Sequence, residues 1–110
     1  MRAGHNTLTA RASVFAALGD ETRLSMLTKL SDREPQSISR LTAGTNLSRQ
    51  AVTKHLRVLA NAGIVRNVRS GRESLFELEP QPIEEARNYL DHVSKQWDDA
   101  LKRLKSHVEV

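Results

Sequence analysis

The stretch Leu47–Val65, LSRQAVTKHLRVLANAGIV, decides the fold of this chain. Ser48 is a typical N-cap residue, since its hydroxyl can accept a hydrogen bond from a backbone N–H of the first helical turn. Val52, Leu56 and Leu59 follow at spacings of four and three, which indicates one apolar face of an α-helix. The Ala-Gly pair after them predicts the helix end, because glycine readily adopts the left-handed conformation there. These features predict a helix over most of the stretch, with one side buried.

A shorter helix is predicted directly upstream. Ser37 is placed to cap it, and Ile38 and Leu41 are expected to face inward. A turn follows at Thr42–Asn46, where glycine and asparagine tolerate unusual backbone angles. Two capped helices joined by a small turn over residues 37–62 predict a helix-turn-helix unit.

The longer helix is predicted to direct polar and cationic side chains away from its apolar face. Arginine and lysine can donate to guanine, glutamine can pair with adenine, and threonine can contact a base or a phosphate. An α-helix fits the major groove, and N-capping hydroxyls beside free N–H groups suit phosphate oxygens. The candidate DNA-contacting residues of this unit are Ser37, Ser48, Arg49, Gln50, Thr53, Lys54 and Arg57.

Beyond the glycine the sequence pattern changes from helical to strand-like. Residues 64–69 and 73–78 predict two strands joined by a tight turn at Ser70-Gly71, which makes a β-hairpin. Arg69 and Arg72 lie at its tip, where they could reach a flanking phosphate or an A·T-rich minor groove. The hairpin is therefore a predicted second DNA contact.

Charge is distributed unevenly along the chain. The net charge of the chain is +4. The span Pro35–Arg72 contains no aspartate or glutamate, whereas the rest of the chain carries ten cations and thirteen acids. A block of one sign in a small domain is expected to form a positive face that binds a polyanion with release of counterions. A solvated basic face without a partner is the alternative. The seven cations of the span are Arg40, Arg49, Lys54, Arg57, Arg66, Arg69 and Arg72.

Two further helices are predicted before the helix-turn-helix unit, within residues 8–30. Leu8–Leu18 forms the first and Glu21–Leu30 the second, with Gly19 ending the first helix and Asp20 as N-cap of the second. The apolar residues that recur at helical spacing are Leu8, Ala12, Phe15 and Leu18 on the first helix and Leu24, Leu27 and Leu30 on the second.

A last helix is predicted over residues 83–107, after two prolines. Its apolar residues recur at steps of three and four, a coiled-coil-like seam about 37 Å long at 1.5 Å per residue. One small domain cannot easily cover both ends of such a seam, so we expect a second copy of the chain to do so; packing of the helix back onto its own domain is the alternative. The seam comprises Ile83, Ala86, Leu90, Val93, Trp97, Leu101, Leu104 and Val108, and the predicted dimer contacts are Leu8, Phe15, Leu90, Val93, Trp97, Leu101 and Leu104.

Composition narrows the class of protein. A chain of 110 residues gives room for one domain, and 38% hydrophobic with 27% charged residues is an ordinary globular mixture. No apolar run is long enough for a membrane helix, and the polar N-terminus lacks a signal-peptide core. The absence of cysteine fits a reducing cytoplasm, and the chain has no nucleophile elbow, phosphate loop or HExxH motif to indicate an enzyme. The predicted fold class is mainly α with a small β-hairpin, a single winged helix-turn-helix domain over residues 1–110 in the order α-α-α-α-β-β-α.

Three segments resemble the ArsR (arsenical-resistance-repressor) family. Ala16–Leu24, AALGDETRL, is similar to its ALADPTRLxIL opening, and Leu47–Val65 resembles its recognition segment LSxxxVSxHLxxLxxAGLV. Arg69–Leu78, RSGRESLFEL, resembles its wing, RxGRxxxYxL. The resemblance implies a homodimer built on the first and last helices. It also implies a palindromic DNA site with half-site centres about 10 bp apart or a multiple of it.

Many members of this family sense metals, and the chain departs from their ligand patterns. Where one metal site uses cysteines the chain has Ser37–Leu41, and on the last helix Asp91 and His92 are adjacent rather than two apart. No metal ligand and no cofactor is predicted. The predicted function is a cytoplasmic, dimeric repressor that binds double-stranded DNA in a sequence-specific manner. The alternatives are a metal- or small-ligand-responsive sensor of the same fold with an unidentified effector, and a winged-helix module that docks to protein.

Overall fold

A computed structural model describes residues 3–31 and 34–108 of the chain. In this part of the chain five helices accompany one small antiparallel sheet, so the predicted mainly helical architecture is confirmed. The elements in chain order are α1 (Ala3–Leu18), α2 (Glu21–Ser31), β1 (Gln36–Ser37), α3 (Ile38–Thr42), α4 (Arg49–Asn61), β2 (Val65–Ser70), β3 (Glu73–Leu78) and α5 (Pro80–Val108).

One apolar core joins the first four helices to the base of the hairpin. Leu41 of α3 is fully buried, and the three predicted inward residues of α4, Val52, Leu56 and Leu59, are at most 1% exposed. Burial of each such side chain stabilises the fold by about 1.5–3 kcal/mol. The other buried members of the core are Val14, Ala17, Met26, Leu27, Leu30, Ile64, Val65 and Ala86.

The helix-turn-helix unit forms as predicted. The Ser37 hydroxyl accepts a hydrogen bond from the Arg40 backbone N–H at 3.2 Å, and the Ser48 hydroxyl accepts one from Ala51 at 3.1 Å, so both N-caps are confirmed. Between the helices Gly44 has φ +82°, a left-handed conformation that glycine adopts without steric cost. The depth and orientation of α4 are therefore fixed at its N-terminus and along its apolar face.

The apolar stripe predicted on α1 is only partly buried. α1 begins at Ala3, earlier than predicted, and the buried residues of its C-terminal half are Val14 and Ala17. Phe15 and Leu18 of the stripe pack against the core, whereas Leu8 is 69% exposed and Ala12 is exposed as well.

A second packing partner explains this division. The Phe15 ring lies against Tyr89 of α5 with the ring centroids 6.0 Å apart, and the Arg11 guanidinium lies 5.1 Å from the centroid of the same tyrosine ring. α1 thus packs against α5 as well as against the core, and its apolar residues serve two contacts. On α2 the leucine spacing also does not mark the buried face, because Met26 is buried while Leu24 is 50% exposed.

The sheet contains a strand that was not predicted. Its order is β1-β3-β2, antiparallel throughout, with Gln36 opposite Phe76 and Ser37 opposite Leu75. A two-residue strand has no alternating pattern that could reveal it, and its hydrogen-bond partners exist only once β3 is in place. The hairpin was predicted as two strands, so β1 is a correction to the predicted order.

The β2–β3 hairpin is the wing of the fold. The two strands pair from Val65↔Leu78 to Ser70↔Glu73, within one residue of the predicted bounds. The loop is Gly71-Arg72, one residue later than predicted, and Gly71 with φ +62° suits the first central position of a type II′ turn. Val65 is the buried residue of β2, so the rest of the hairpin extends away from the core.

α5 leaves the core after its first turns. It begins at Pro80, three residues earlier than predicted, because proline fits the first helical turn, where its missing N–H has no partner to lose. Ile83 and Ala86 pack on the core, and the 29-residue helix then extends to a length of about 43 Å. The radius of gyration of 18.4 Å exceeds the value of about 13 Å for a compact domain of this length. None of the helices in the described ranges is long and apolar enough to cross a membrane.

Candidate nucleic-acid interface

α4 presents a polar stripe opposite its buried face. At about 100° per residue, Gln50, Lys54 and Arg57 lie on the side of α4 away from Val52 and the core, and all three are exposed. Arg49 is exposed in the first turn. The structure therefore brings three of the predicted residues to one outer surface of the helix, whereas Arg49 lies about 100° from Gln50, toward Leu56.

The hydroxyl groups of the interface are partly committed to the fold. Ser37 and Ser48 use an oxygen lone pair to accept from backbone N–H groups, so each keeps its hydroxyl hydrogen for donation to a phosphate. Thr53 donates its hydroxyl hydrogen to the Arg49 carbonyl at 2.8 Å. Its side chain can therefore accept a hydrogen bond or pack against a thymine methyl, whereas donation to a phosphate would require breaking that bond.

The hairpin tip carries exposed arginines. Arg69 and Arg72 are exposed and make no ion pair within residues 3–31 and 34–108. Arg66 differs from them, because Glu77 on the paired strand accepts a hydrogen bond from its Nε at 2.6 Å and also lies beside its Nη2. That hydrogen bond and the carboxylate charge raise the pKa of Arg66. One of the seven cations of the acid-free span is thus paired with an acid across the hairpin.

A shallow depression lies between the helix-turn-helix unit and the hairpin. Its volume is about 280 Å³, and it brings the predicted residues Ser37 and Arg49 together with two that the sequence did not single out, Ser39 and Glu73. Ser39 is exposed two residues after the α3 cap, a position that the capping pattern could have revealed. Glu73 has no such signal, because it comes close to the helices only through the hairpin register.

A polar cluster joins the α1–α2 junction to α4, and the sequence did not identify it. The Asp20 carboxylate accepts a hydrogen bond from the Arg23 backbone N–H at 3.0 Å, which confirms Asp20 as the N-cap of α2. That bond and the Arg23 charge lower the pKa of Asp20, against a smaller opposing effect of desolvation. The Arg23 guanidinium lies 3.3 Å from Nδ1 of His55 on α4. The segments that resemble the ArsR family contain all three residues, but nothing in their spacing shows that they meet.

Most of the apolar seam on α5 is exposed. Trp97 is 65% exposed, and Val93 is half-buried. Phe15, a predicted dimer contact on α1, lies against Tyr89 of the same chain. The large apolar side chains of the seam that stand exposed are Leu90 (53%), Trp97 (65%), Leu101 (55%), Leu104 (59%) and Val108 (72%).

The sequence predicted no metal ligand, and the side chains that could have served as ligands are the acidic residues and the histidines. Within the described residues no group of three or more histidine, cysteine, aspartate or glutamate side chains could hold a metal ion. Asp91 and His92 are both exposed on α5.

A capped helix-turn-helix followed by an arginine-tipped hairpin defines a winged helix-turn-helix protein of the DNA-binding class. A family model described as a helix-turn-helix domain matches residues 11–68. The chain is 35% identical over 77 residues to the uncharacterized HTH-type transcriptional regulator YuzN of Bacillus subtilis, covering 64% of this chain and 84% of the relative.

Solved structures agree with this class. An ArsR-like transcriptional regulator from Rhodococcus sp. RHA1 is 38% identical, with a TM-score of 0.82 over 91% of this chain and 93% of that one. The homodimeric winged helix-turn-helix DNA-binding domain of Mb0332 from Mycobacterium bovis has the same fold, with a TM-score of 0.64 at 19% identity over 94% and 92% of the two chains. The chain belongs to the ArsR family of winged helix-turn-helix transcriptional regulators, and it is a DNA-binding transcriptional regulator.

Proposed function

We propose that the protein is a sequence-specific repressor that binds a palindromic operator as a homodimer. The observation that carries this proposal is the set of exposed cations on α4 and on the hairpin tip. Arg49, Lys54, Arg57, Arg69 and Arg72 are all exposed and make no ion pair within the described residues. Because no acid among residues 3–31 and 34–108 pairs with them, their charge is available to phosphates and to base edges.

The polar side chains on α4 and the arginines at the hairpin tip would contact different parts of the duplex. Gln50, Lys54 and Arg57 form a stripe that fits the major groove, where their donors meet guanine and adenine edges. Arg69 and Arg72 would follow the backbone into the flanking minor groove. The hydroxyl hydrogens of the two N-capping serines would donate to phosphates at the helix N-termini.

The exposed seam supports self-association. Burial of Leu90, Trp97, Leu101 and Leu104 against a second copy would remove large apolar side chains from water, and each contributes about 1.5–3 kcal/mol when fully buried. The Mb0332 fragment of the same fold is described as homodimeric. A two-fold dimer would place one α4 helix on each half of a palindrome, with half-site centres about 10 bp apart or a multiple of it. Val93 and Trp97 would lie at the centre of the contact, and the exposed Leu8 of α1 would extend it.

Repression would follow from occupancy. A dimer bound across one or two helical turns of a promoter excludes polymerase from that DNA, and the protein would act where this DNA lies, in the cytoplasm. A signal that weakens binding would release the promoter; we propose no metal and no cofactor for this step.

Selection from a library of duplexes tests the proposal. The purified protein is incubated with random and genomic fragments at fixed salt, and bound fragments are sequenced. We expect enrichment of a palindrome, and the Arg49→Ala, Lys54→Ala, Arg57→Ala triple variant is expected to lose that preference. A protein without preference for any fragment would contradict the proposal.

A matched variant controls for loss of charge alone. Lys95→Ala, Lys102→Ala and Arg103→Ala remove the same three charges from exposed positions on α5, and at about 100° per residue these lie away from the apolar seam. The control variant is expected to keep its preference for the palindrome. Equal losses in both triple variants would show that total charge, and not the surface of α4, determines binding.

A further inference from the structure

The Arg23 side chain makes a junction between three helices. Its Nε donates to the Ala17 carbonyl at 2.6 Å and its Nη2 to the Ala16 carbonyl at 3.3 Å, both at the C-terminus of α1. Its third nitrogen, Nη1, lies 3.3 Å from Nδ1 of His55 on α4. Arg23 itself lies in the first turn of α2, where its backbone N–H is bound by Asp20. One planar guanidinium therefore contacts α1 and α4 while its backbone is part of α2.

A hydrogen bond across this contact requires one tautomer of the imidazole. A guanidinium has donors and no acceptor, so Nδ1 of His55 accepts in such a bond and the ring proton lies on Nε2. The Asp20 carboxylate also faces the ring, with Oδ2 3.9 Å from Nδ1. The His55 side chain is 24% exposed, which leaves it on the rim of the core and not inside it.

The position of His55 on α4 gives the contact its importance. At about 100° per residue, His55 lies on a flank of α4 between the buried face and the stripe of Gln50, Lys54 and Arg57. The apolar face of α4 fixes how deeply the helix is buried, but apolar burial is non-directional. A hydrogen bond is directional, so a bond on the flank resists rotation of α4 about its own axis. A rotation of 20° moves side chains at a radius of 5–6 Å by about 2 Å, enough to break a hydrogen bond to a base edge.

We propose that Arg23 is a positioning residue for DNA recognition, which sets the rotation of α4 through His55 and ties it to the C-terminus of α1. The inference rests on the proposed function, because it assigns Arg23 a part in sequence discrimination. Arg23 would act through His55 and α4, without touching DNA itself. Since α1 also packs against α5 through Tyr89, the same guanidinium connects the reading helix to the helices proposed to form the dimer.

The first test is a double-mutant cycle on the ratio of operator affinity to random-duplex affinity. His55→Asn keeps an acceptor close to the position of Nδ1, whereas His55→Leu removes it, and Arg23→Met removes the donors while keeping an apolar stem. We expect His55→Asn to keep the ratio and His55→Leu and Arg23→Met each to lower it about tenfold, with no further loss in the Arg23→Met, His55→Leu double variant. Additive losses, or equal losses for His55→Asn and His55→Leu, would overturn the proposal.

Thermal unfolding of the same variants separates positioning from stability. A purely structural role would lower the melting temperature and both DNA affinities together, whereas a positioning role lowers operator affinity more than random-duplex affinity. Arg23→Lys is expected to behave like Arg23→Met in the affinity ratio, because an ammonium group lacks the planar fork that spans two carbonyls and an imidazole. Full rescue by lysine would contradict the geometry.

A spectroscopic measurement can be made on the unaltered protein, so its result does not depend on whether a variant folds. Long-range ¹H–¹⁵N spectra of the His55 ring are expected to show the proton on Nε2 at neutral pH. A proton on Nδ1 would exclude the bond from Arg23 and overturn the inference. If the unaltered protein prefers no duplex, the proposed function fails; if it prefers an operator and the cycle is additive, the function stands and the role of Arg23 fails.

Discussion

α4 and α5 have the same apolar periodicity and different surroundings. Both carry apolar residues at steps of three and four, yet Val52, Leu56 and Leu59 of α4 are at most 1% exposed, whereas Trp97 and Leu101 of α5 are 65% and 55% exposed. α4 lies against three other helices and the hairpin base, while α5 leaves the core after Ala86. Periodicity thus shows that a face favours burial, and the rest of the fold decides whether the same chain covers it.

The difference also separates two roles. Burial of one face of α4 keeps the polar side chains on the opposite face in a fixed position. Recognition of a base sequence requires such a fixed position. The large apolar side chains on α5 are exposed in the single chain, and we infer that a second copy covers them.

Truncation inside the covered face is expected to have the largest effect. Leu56→Ala leaves a cavity in a well-packed core and is expected to lower the free energy of unfolding by about 2–5 kcal/mol. Leu101→Ala is its counterpart on α5. At protein concentrations too low for self-association it is expected to change that free energy by no more than about 0.5 kcal/mol. Denaturant unfolding measures both, and similar losses would show that Leu101 is covered within one chain.

Charges placed on the uncovered face are expected to separate the dimer. In Leu90→Asp with Leu101→Asp two carboxylates would have to be buried without partners, which opposes association. Sedimentation should then show monomers, and operator affinity should fall by about 100-fold or more, since bivalent binding is lost. Circular dichroism at the same concentration controls for folding. Monomers that bind the operator with unchanged affinity would show that operator binding does not require association through the α5 seam.

A single side chain on the reading surface is expected to have a smaller and more local effect. Arg57→Ala should cost about 1–3 kcal/mol of operator affinity and relax the sequence preference at one position if the guanidinium contacts a base. If the guanidinium contacts a phosphate, the loss should be uniform over sequences, and the slope of affinity against salt should fall by about 1. Titration of operator and singly changed duplexes at several salt concentrations distinguishes the two, and no change in either quantity would remove Arg57 from the interface.

The hairpin offers a matched pair for the smallest effect. Arg69→Ala should lower the salt dependence of binding by about one phosphate contact, whereas Arg66→Ala should leave it nearly unchanged, because Glu77 already pairs with Arg66. Both residues lie on β2 and both variants lose one positive charge. Equal slopes for the two variants would show that the hairpin contributes only through net charge.

Local signals allowed most of the helix-turn-helix unit to be predicted. The caps at Ser37 and Ser48, the buried face of α4 and the hairpin after Gly63 depend on residues close in sequence, so spacing was enough. The predicted family was confirmed for the same reason, since two of its three motifs lie in these segments.

Contacts between distant segments could not be predicted. β1 exists because Gln36 and Ser37 meet the edge of β3, and Arg66 loses its free charge to Glu77 across the hairpin. The exposure of Leu24 and the burial of Met26 could not be read from the leucine spacing, because α2 is oriented by its neighbours and not by its own spacing.

The amino-acid sequence by itself determined the order of the five helices and the two hairpin strands, the N-caps and the acid-free block of charge, because each depends on hydrogen bonds or periodicity within one segment. Tertiary structure alone decided which apolar face is covered, which arginine is neutralised and how Arg23 meets His55. The physical reason is that burial and ion pairing depend on distance in space, and residues 32 positions apart come within 3.3 Å only when three helices have packed together.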